Sequence, residues 1–206
     1  MTGLFLTLEG GDGSGKSTQM GALTAWLEQQ GRTIVQTREP GGTDLGLELR
    51  EIVLHRRGFI APRAEALLYA ADRAHHIATV VRPALDRGDV VIQDRYLDSS
   101  VAYQGAGRVL EASEVRDLSL WATDGLLPDL TVLLDLDPAV GRNRLTESRT
   151  RYDRLEAEEA DFHERVRAAY LGLAEAEPER FLVLDATRPV EELQQSIRDR
   201  VSPLLA

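Results

Sequence analysis

The sequence predicts an α/β protein: a three-layer fold in which a five-stranded parallel sheet is flanked by helices. Three observations carry that expectation. Short apolar, β-rich runs alternate with longer stretches of helical periodicity, the pattern of a parallel sheet wrapped by its crossover helices. A glycine-rich turn separates the first apolar run from the first helical one. No internal repeat, low-complexity tract or linker interrupts the 206 residues, so one domain over 1–206 is expected.

In chain order, strands are expected near 3–9, 33–37, 89–94, 130–136 and 181–185. Helices are expected over 16–30, 43–56, 63–87, 98–105, 111–123, 138–147, 156–175 and 189–201. The first run (LFLTLE, 4–9) is too short for a signal sequence and reads as a buried strand. Gly31 and Gly88 follow the first and the long third helix as C-caps. Pro128 precedes the fourth strand, and Pro138 lies in the first turn of the next helix, where its missing N–H costs little.

Composition excludes several classes. No apolar run approaches the roughly 20 residues that span a bilayer, and the first ten residues lack a basic region, so no membrane role and a cytoplasmic location are expected. The chain has no cysteine, which removes disulfides, thiolate catalysis and cysteine metal sites. A net charge of −10 argues against a nucleic-acid partner, which would need a basic footprint. Of the 24 Lys and Arg residues, Lys16 is the single lysine. A chain that otherwise uses arginine keeps a compact ammonium on a flexible stem at one position. That position falls inside the next motif.

Residues 10–17 (Gly10-Gly11-Asp12-Gly13-Ser14-Gly15-Lys16-Ser17) fit G-x-x-x-x-G-K-[ST], after a strand and opening a helix. Glycines let the backbone close around phosphates and turn its N–H groups inward. The helix beginning near Lys16 aims its positive end at the anion. Lys16 would reach the β- and γ-phosphates, Ser17 would ligate Mg²⁺, and Thr18 follows among the expected ATP contacts. The fold class is therefore the P-loop NTPase fold, with ATP as co-substrate. The usual guanine-reading motif, N-K-x-D, cannot exist when the one lysine is Lys16.

Beyond the loop, LEGGDGSGKSTQ (8–19), TREPGGT (37–43), DRYLDSSVAYQGAGR (94–108), PDLTVLLDLDP (128–138) and DRLE (153–156) resemble the bacterial thymidylate kinase family nearly end to end. The resemblance implies transfer of the ATP γ-phosphoryl group to dTMP, Mg²⁺ and a homodimer. It puts Asp12 on the deoxyribose 3′-hydroxyl, for which an acceptor-only carboxylate is suited; the competing account is an ordinary turn residue. It makes Arg95 the clamp of the acceptor phosphate, with Arg38 and Arg50 lining that pocket. As plain residues, Arg38 and Arg95 are strand-end cations at the carboxyl edge of the sheet, where open α/β folds bind ligands. Asp94 ends the run VVIQD and is either an outer Mg²⁺ ligand or an N-cap. Tyr69 and Arg73, four apart on one helix face, are implied to stack on and hydrogen-bond thymine, where the family more often has phenylalanine than tyrosine. Ser100 and Gln104 are implied at the base edge and Tyr103 at the sugar, all on one helical face.

A lid is expected over approximately 142–155. Members of this family carry their catalytic arginine either in the P-loop or in the lid. Here the loop position is Gly13, so the resemblance assigns the finger to Arg149, Arg151 or Arg154, with Arg142 and Arg144 as secondary candidates and Arg188 near adenine. A solvated charged hairpin is the plain alternative for this segment. The competing functions are a deoxynucleoside kinase, which would need a base beside a hydroxyl acceptor, and a non-catalytic nucleotide-binding module.

Overall fold

The first strand is apolar almost throughout because both of its faces are covered. Leu4, Leu6 and Leu8 pack on one side of the sheet and Phe5 on the other. The computed structural model describes residues 3–56, 58–108, 110–148 and 153–205. Its strands β1 (Leu4–Glu9), β2 (Ile34–Arg38), β3 (Val90–Asp94), β4 (Leu130–Asp135) and β5 (Phe181–Asp185) form one parallel sheet in the order β2-β3-β1-β4-β5. Strand limits fall within a residue of those expected.

One face of the sheet is covered by α1 (Lys16–Gln29) and α9 (Val190–Val201), whose Leu23, Leu27, Ile197 and Val201 close a core with the β1 leucines. The other face carries α3 (Pro62–His76), continued by a π-helical turn (Ile77–Val81) into α4 (Arg82–Asp86); Phe5, Val81, Val91 and Tyr96 pack there. A third apolar cluster joins Tyr69 and Tyr103 to Phe162, Val166 and Tyr170 of α8 (Ala160–Ala176). The remaining helical elements among the described residues are α2 (Asp44–Arg50), continued by a π-helical turn (Glu51–His55), α5 (Leu97–Ser100), continued by a π-helical turn (Val101–Ala106) that carries Tyr103 and Gln104, α6 (Ala112–Ala122), α7 (Pro138–Ser148) and a final 3-10 turn (Ser202–Leu205).

Two departures from the expected helices have local causes. The run expected as one helix over 63–87 widens into the π-turn just before Pro83. Proline cannot donate to the carbonyl four residues back, and its ring crowds it. Similarly, α8 starts at Ala160 and not near 156. The Asp153 carboxylate accepts from the backbone N–H groups of Leu155 and Glu156, both at 2.9 Å, while Glu156 accepts from Asp153 N at 2.9 Å. Side-chain bonds of this kind offer the backbone an alternative to the helix.

The register positions the site. Leu8 lies opposite Asp94, and Asp94 opposite Arg38, so the carboxyl ends of β1, β2 and β3 finish level. Glycine-rich loop, Arg38 and Arg95 thus meet at one edge.

Candidate active site

The loop after β1 depends on glycine at specific points. Gly13 has φ of 77°, and a Cβ there would run into the backbone of Gly141 on α7. No larger residue fits, so the arginine absent from this position has no room to be there. Helix α1 opens at Lys16 with no acidic residue in its first turn, leaving its positive end uncompensated by side chains. Lys16 is only 8% exposed, and its ammonium donates to the carbonyls of Gly10 and Gly11 at 3.1 Å each. Burial and then the Arg95 charge pull the ammonium below its ordinary pKa, against Asp94 and Asp12.

Arg95 follows β3 with φ of 65°, a left-handed conformation that costs a non-glycine residue energy and that clusters at functional sites. Its Nη2 donates to Asp12 Oδ1 at 2.5 Å and its Nη1 to Gly10 O at 3.1 Å, with the guanidinium 5.1 Å over the Tyr103 ring. Tyr103 Oη also donates to Asp12 Oδ2 at 3.4 Å. Burial alone would raise the Asp12 pKa, but Arg95 and then Lys16 outweigh it and hold the carboxyl below its ordinary value.

A cavity of about 460 Å³ is walled on one side by Asp12, Gly13, Gly15, Lys16, Ser17 and Thr18. Its other walls are Arg38, Arg50, Tyr69, Arg73, Asp94, Arg95, Ser100, Tyr103 and Gln104. One space therefore joins the phosphate loop to nearly every acceptor-side residue expected from the sequence. Gly10 and Gly11 instead border a smaller cavity toward α8, and Ser14 is buried within the loop.

Part of the cavity lining is a hydrogen-bonded polar cluster. Arg73, 2% exposed, donates to Glu39 Oε2 at 2.8 Å, Ser100 Oγ at 3.0 Å, Ser119 Oγ at 3.0 Å and Tyr96 O at 3.2 Å. Glu39 in turn holds His76 Nδ1 at 3.0 Å, and His76 Nε2 meets Thr37 Oγ1 at 2.7 Å. Gln104 Nε2 donates to Glu65 Oε1 at 3.0 Å. Arg50 donates to Pro40 O at 2.9 Å; burial and then Arg38 pull its pKa below the ordinary value. Burial pushes the Tyr69 phenol up, so it enters the pocket neutral.

The lid arginines separate. Arg144 lines the cavity and donates to Gly13 O and Ala186 O, at 3.2 Å each. Arg142 donates to Glu158 O at 3.0 Å. Arg154 is bound by the buried Glu65 and donates to Val53 O at 2.9 Å, so its guanidinium is engaged beside the polar cluster. Arg188 pairs with the exposed Glu192. Arg149 and Arg151 lie outside the described residues.

A protein-family profile described as "Thymidylate kinase" matches residues 8–197. The chain belongs to the thymidylate kinase family. It is 74% identical over all of its 206 residues to the thymidylate kinase of Clavibacter michiganensis subsp. michiganensis, covering 98% of that protein. It is 54% identical over 200 residues to that of Deinococcus radiodurans, covering 97% of each chain. A crystal structure of thymidylate kinase from Ehrlichia chaffeensis superposes with a TM-score of 0.78 at 28% identity, covering 97% of this chain and 98% of that one.

For a thymidylate kinase, the residues that sequence reasoning missed are the buried acids that hold the site. Glu65 gathers Gln104, Arg108 and Arg154; Glu39 orients Arg73; and Glu9, fully buried, sits beneath the loop. Burial, with Asp98 adding to it, pushes the Glu9 carboxyl up to about 7 from 4.5. A raised carboxyl pKa means that the folded state binds the extra proton between these two values. Stability attributable to Glu9 is thus present below about pH 4.5 and lost as pH rises through about 7. By linkage the change is about 3 kcal/mol. Urea unfolding at pH 5 and pH 7.5 should show this slope in the wild type and not in Glu9→Gln. An equal slope in both proteins would exclude Glu9 as its source.

Proposed function

We propose that this thymidylate kinase transfers the γ-phosphoryl group of ATP to dTMP, yielding ADP and dTDP for dTTP synthesis. The supporting observation is that one cavity is lined by Lys16 and its glycine-rich loop, by the hydrogen-bonded pair Arg95 and Asp12, and by Arg73, Ser100 and Gln104. In this reading Arg95 takes the acceptor phosphate and Asp12 the sugar hydroxyl. Tyr69 covers the base, whose edge meets Arg73, Ser100 and Gln104; a wrong base would leave buried polar groups unpaired. The acceptor phosphate is already an anion near neutral pH, so no general base is required. Rate comes from alignment and from charge neutralisation by Lys16 and Arg95.

Mg²⁺ is proposed as the metal. Ser17 and Asp94 both line the cavity, and Asp94 Oδ1 is buried without a hydrogen-bond partner among the described residues. An orphaned carboxylate oxygen fits a cation that keeps several waters and uses one or two protein ligands. Held by Ser17 and Asp94, the metal would supply neutralisation of the charge that develops during transfer. Among the described arginines of the lid, Arg144 is proposed to meet the transferring group, because it already reaches the loop at Gly13 while Arg154 is held by Glu65. A homodimer is also proposed; exposed Leu67 and Trp121, on the packed helices α3 and α6, support an apolar contact. No helix among the described residues is long and apolar enough to cross a membrane, and the cytoplasm, where both substrates occur, is the proposed location.

The test is ADP release with ATP and Mg²⁺ across dTMP, dUMP, dCMP, AMP and thymidine. Turnover should be highest with dTMP and absent with thymidine. Equal rates across the monophosphates, or phosphorylation of thymidine, would overturn the substrate assignment.

A further inference from the structure

Arg95 presents a problem that its own sequence neighbours do not solve. Its backbone is in a left-handed conformation, and its long side chain must be held at one place in a cavity of about 460 Å³. Residues kept in such conformations persist only where their surroundings over-determine them. The amides on either side of the strained residue are both pinned from β1. Arg95 N donates to Leu8 O at 3.0 Å, and Tyr96 N donates to Glu9 Oε1 at 2.7 Å.

The same carboxylate reaches the guanidinium indirectly. Glu9 Oε2 accepts from Ser99 Oγ at 2.6 Å and from Tyr170 Oη at 2.9 Å, and those two hydroxyl oxygens are 2.7 Å apart. The two hydroxyl hydrogens serve this triangle, one going to Glu9 and the other to Glu9 or to the neighbouring hydroxyl, and both oxygens keep a lone pair for a further donor. Arg95 Nη1 points at both of these oxygens, at 3.4 Å each, and at Gly10 O. With Nη2 on Asp12 and Tyr103 a further hydrogen-bond partner, the guanidinium is held from several sides on a residue that lines the cavity.

We infer that Glu9 is a positioning residue for Arg95: its carboxylate fixes the turn at Tyr96 and orients Ser99 and Tyr170 as acceptors that hold the guanidinium in place at the cavity for the acceptor phosphate. This inference rests on the proposed role of Arg95 at that phosphate. Glu9 touches no substrate and acts only through the three groups named.

Glu9→Gln separates polarity from packing, because the two side chains have the same shape. An amide nitrogen on the Ser99–Tyr170 side would donate into both hydroxyls and turn their hydrogens toward Arg95. Flipped, it would set donor against donor at Tyr96 N. Either way the hold on Arg95 is lost while the space stays filled. Assayed at pH 8.5, where the Glu9 carboxyl is ionised, the expected result is a fall of about 10- to 100-fold in kcat/KM for dTMP, the scale of a misplaced catalytic group. The KM for ATP should stay within about twofold and the thermal midpoint within a few degrees. Glu9→Gln in an Arg95→Ala background should cost nothing further, since both changes act on one element. The inference is overturned if Glu9→Gln keeps kcat/KM for dTMP within threefold, if both substrates and the midpoint suffer together, or if the double mutant shows additive losses. If Arg95→Ala alone left dTMP turnover intact, the assigned role of Arg95 would fall and this inference with it. Loss in Arg95→Ala without loss in Glu9→Gln would leave that role standing and remove Glu9 alone.

Discussion

Lys16→Arg should lower kcat by about 10²- to 10³-fold, although it preserves charge and introduces the cation that the chain uses everywhere else. The argument is one of shape. The Lys16 stem runs through a site that leaves it 8% exposed, and its ammonium fits within 3.1 Å of two carbonyls of the loop it must serve. A guanidinium is planar, bulkier and forked, and could satisfy those carbonyls only by displacing the backbone whose N–H groups cradle the phosphates. Depression of the Lys16 pKa by burial and by Arg95 adds a second reason. An ammonium destabilised in this way is better stabilised by a polyanion than a solvated one would be, so its attraction to transferring charge is enhanced. Steady-state kinetics of Lys16→Arg beside Lys16→Ala would check this. If the arginine variant retained more than a tenth of wild-type kcat while alanine did not, charge alone would suffice and the argument from shape would be wrong.

What could be read in the sequence follows from where the physics is local. The strands were legible because burial on both faces demands continuous apolar runs, and the loop at 10–17 because phosphate binding needs glycine and lysine at fixed spacing. The residues proposed for the acceptor were suggested by family resemblance, and the register that sets Leu8, Asp94 and Arg38 level explains how such distant segments share one cavity. The holding groups were not legible. Glu9 meets Tyr170 across 161 positions and Arg73 meets Glu39 across 34, and a single acid in a strand or loop carries no pattern that names its partner. Helix interruptions were hidden for a related reason. Pro83 was visible, but a proline in a helical run can end, kink or widen it, and the packing of α4 decides among these. Arg154 shows the same limit: its charge and motif were evident, but not its engagement with Glu65.

Arg95→Ala should reduce kcat/KM for dTMP by about 10³-fold, the scale of losing a charged group that acts directly on a transferring phosphate. It should also move the acid limb of the pH profile. Asp12 is held below its ordinary pKa because Arg95, aided by Lys16, overcomes the effect of burial. Without the guanidinium at 2.5 Å, burial acts against a weaker opposition and the Asp12 pKa rises. A depressed carboxyl remains ionised as pH falls until its low pKa is reached, so raising that pKa brings protonation closer to neutrality. Residual activity in Arg95→Ala should therefore be lost at higher pH on acidification than wild-type activity. Titration of the dTMP phosphate is common to both enzymes and cancels in the comparison, whereas the Glu9 carboxyl, which Arg95 also holds down, moves up with Asp12 and adds to the same displacement. Arg95→Lys discriminates further: a point charge can neutralise Asp12 but cannot bridge Asp12, Gly10 O and an acceptor phosphate at once, so the acid limb should stay while most of the rate is lost. Measuring kcat/KM for dTMP against pH in the three proteins decides the matter. A loss below tenfold in Arg95→Ala, or an acid limb unmoved by it, would show that Asp12 and the acceptor phosphate are managed by other cations, of which Lys16 and Arg38 line the same cavity.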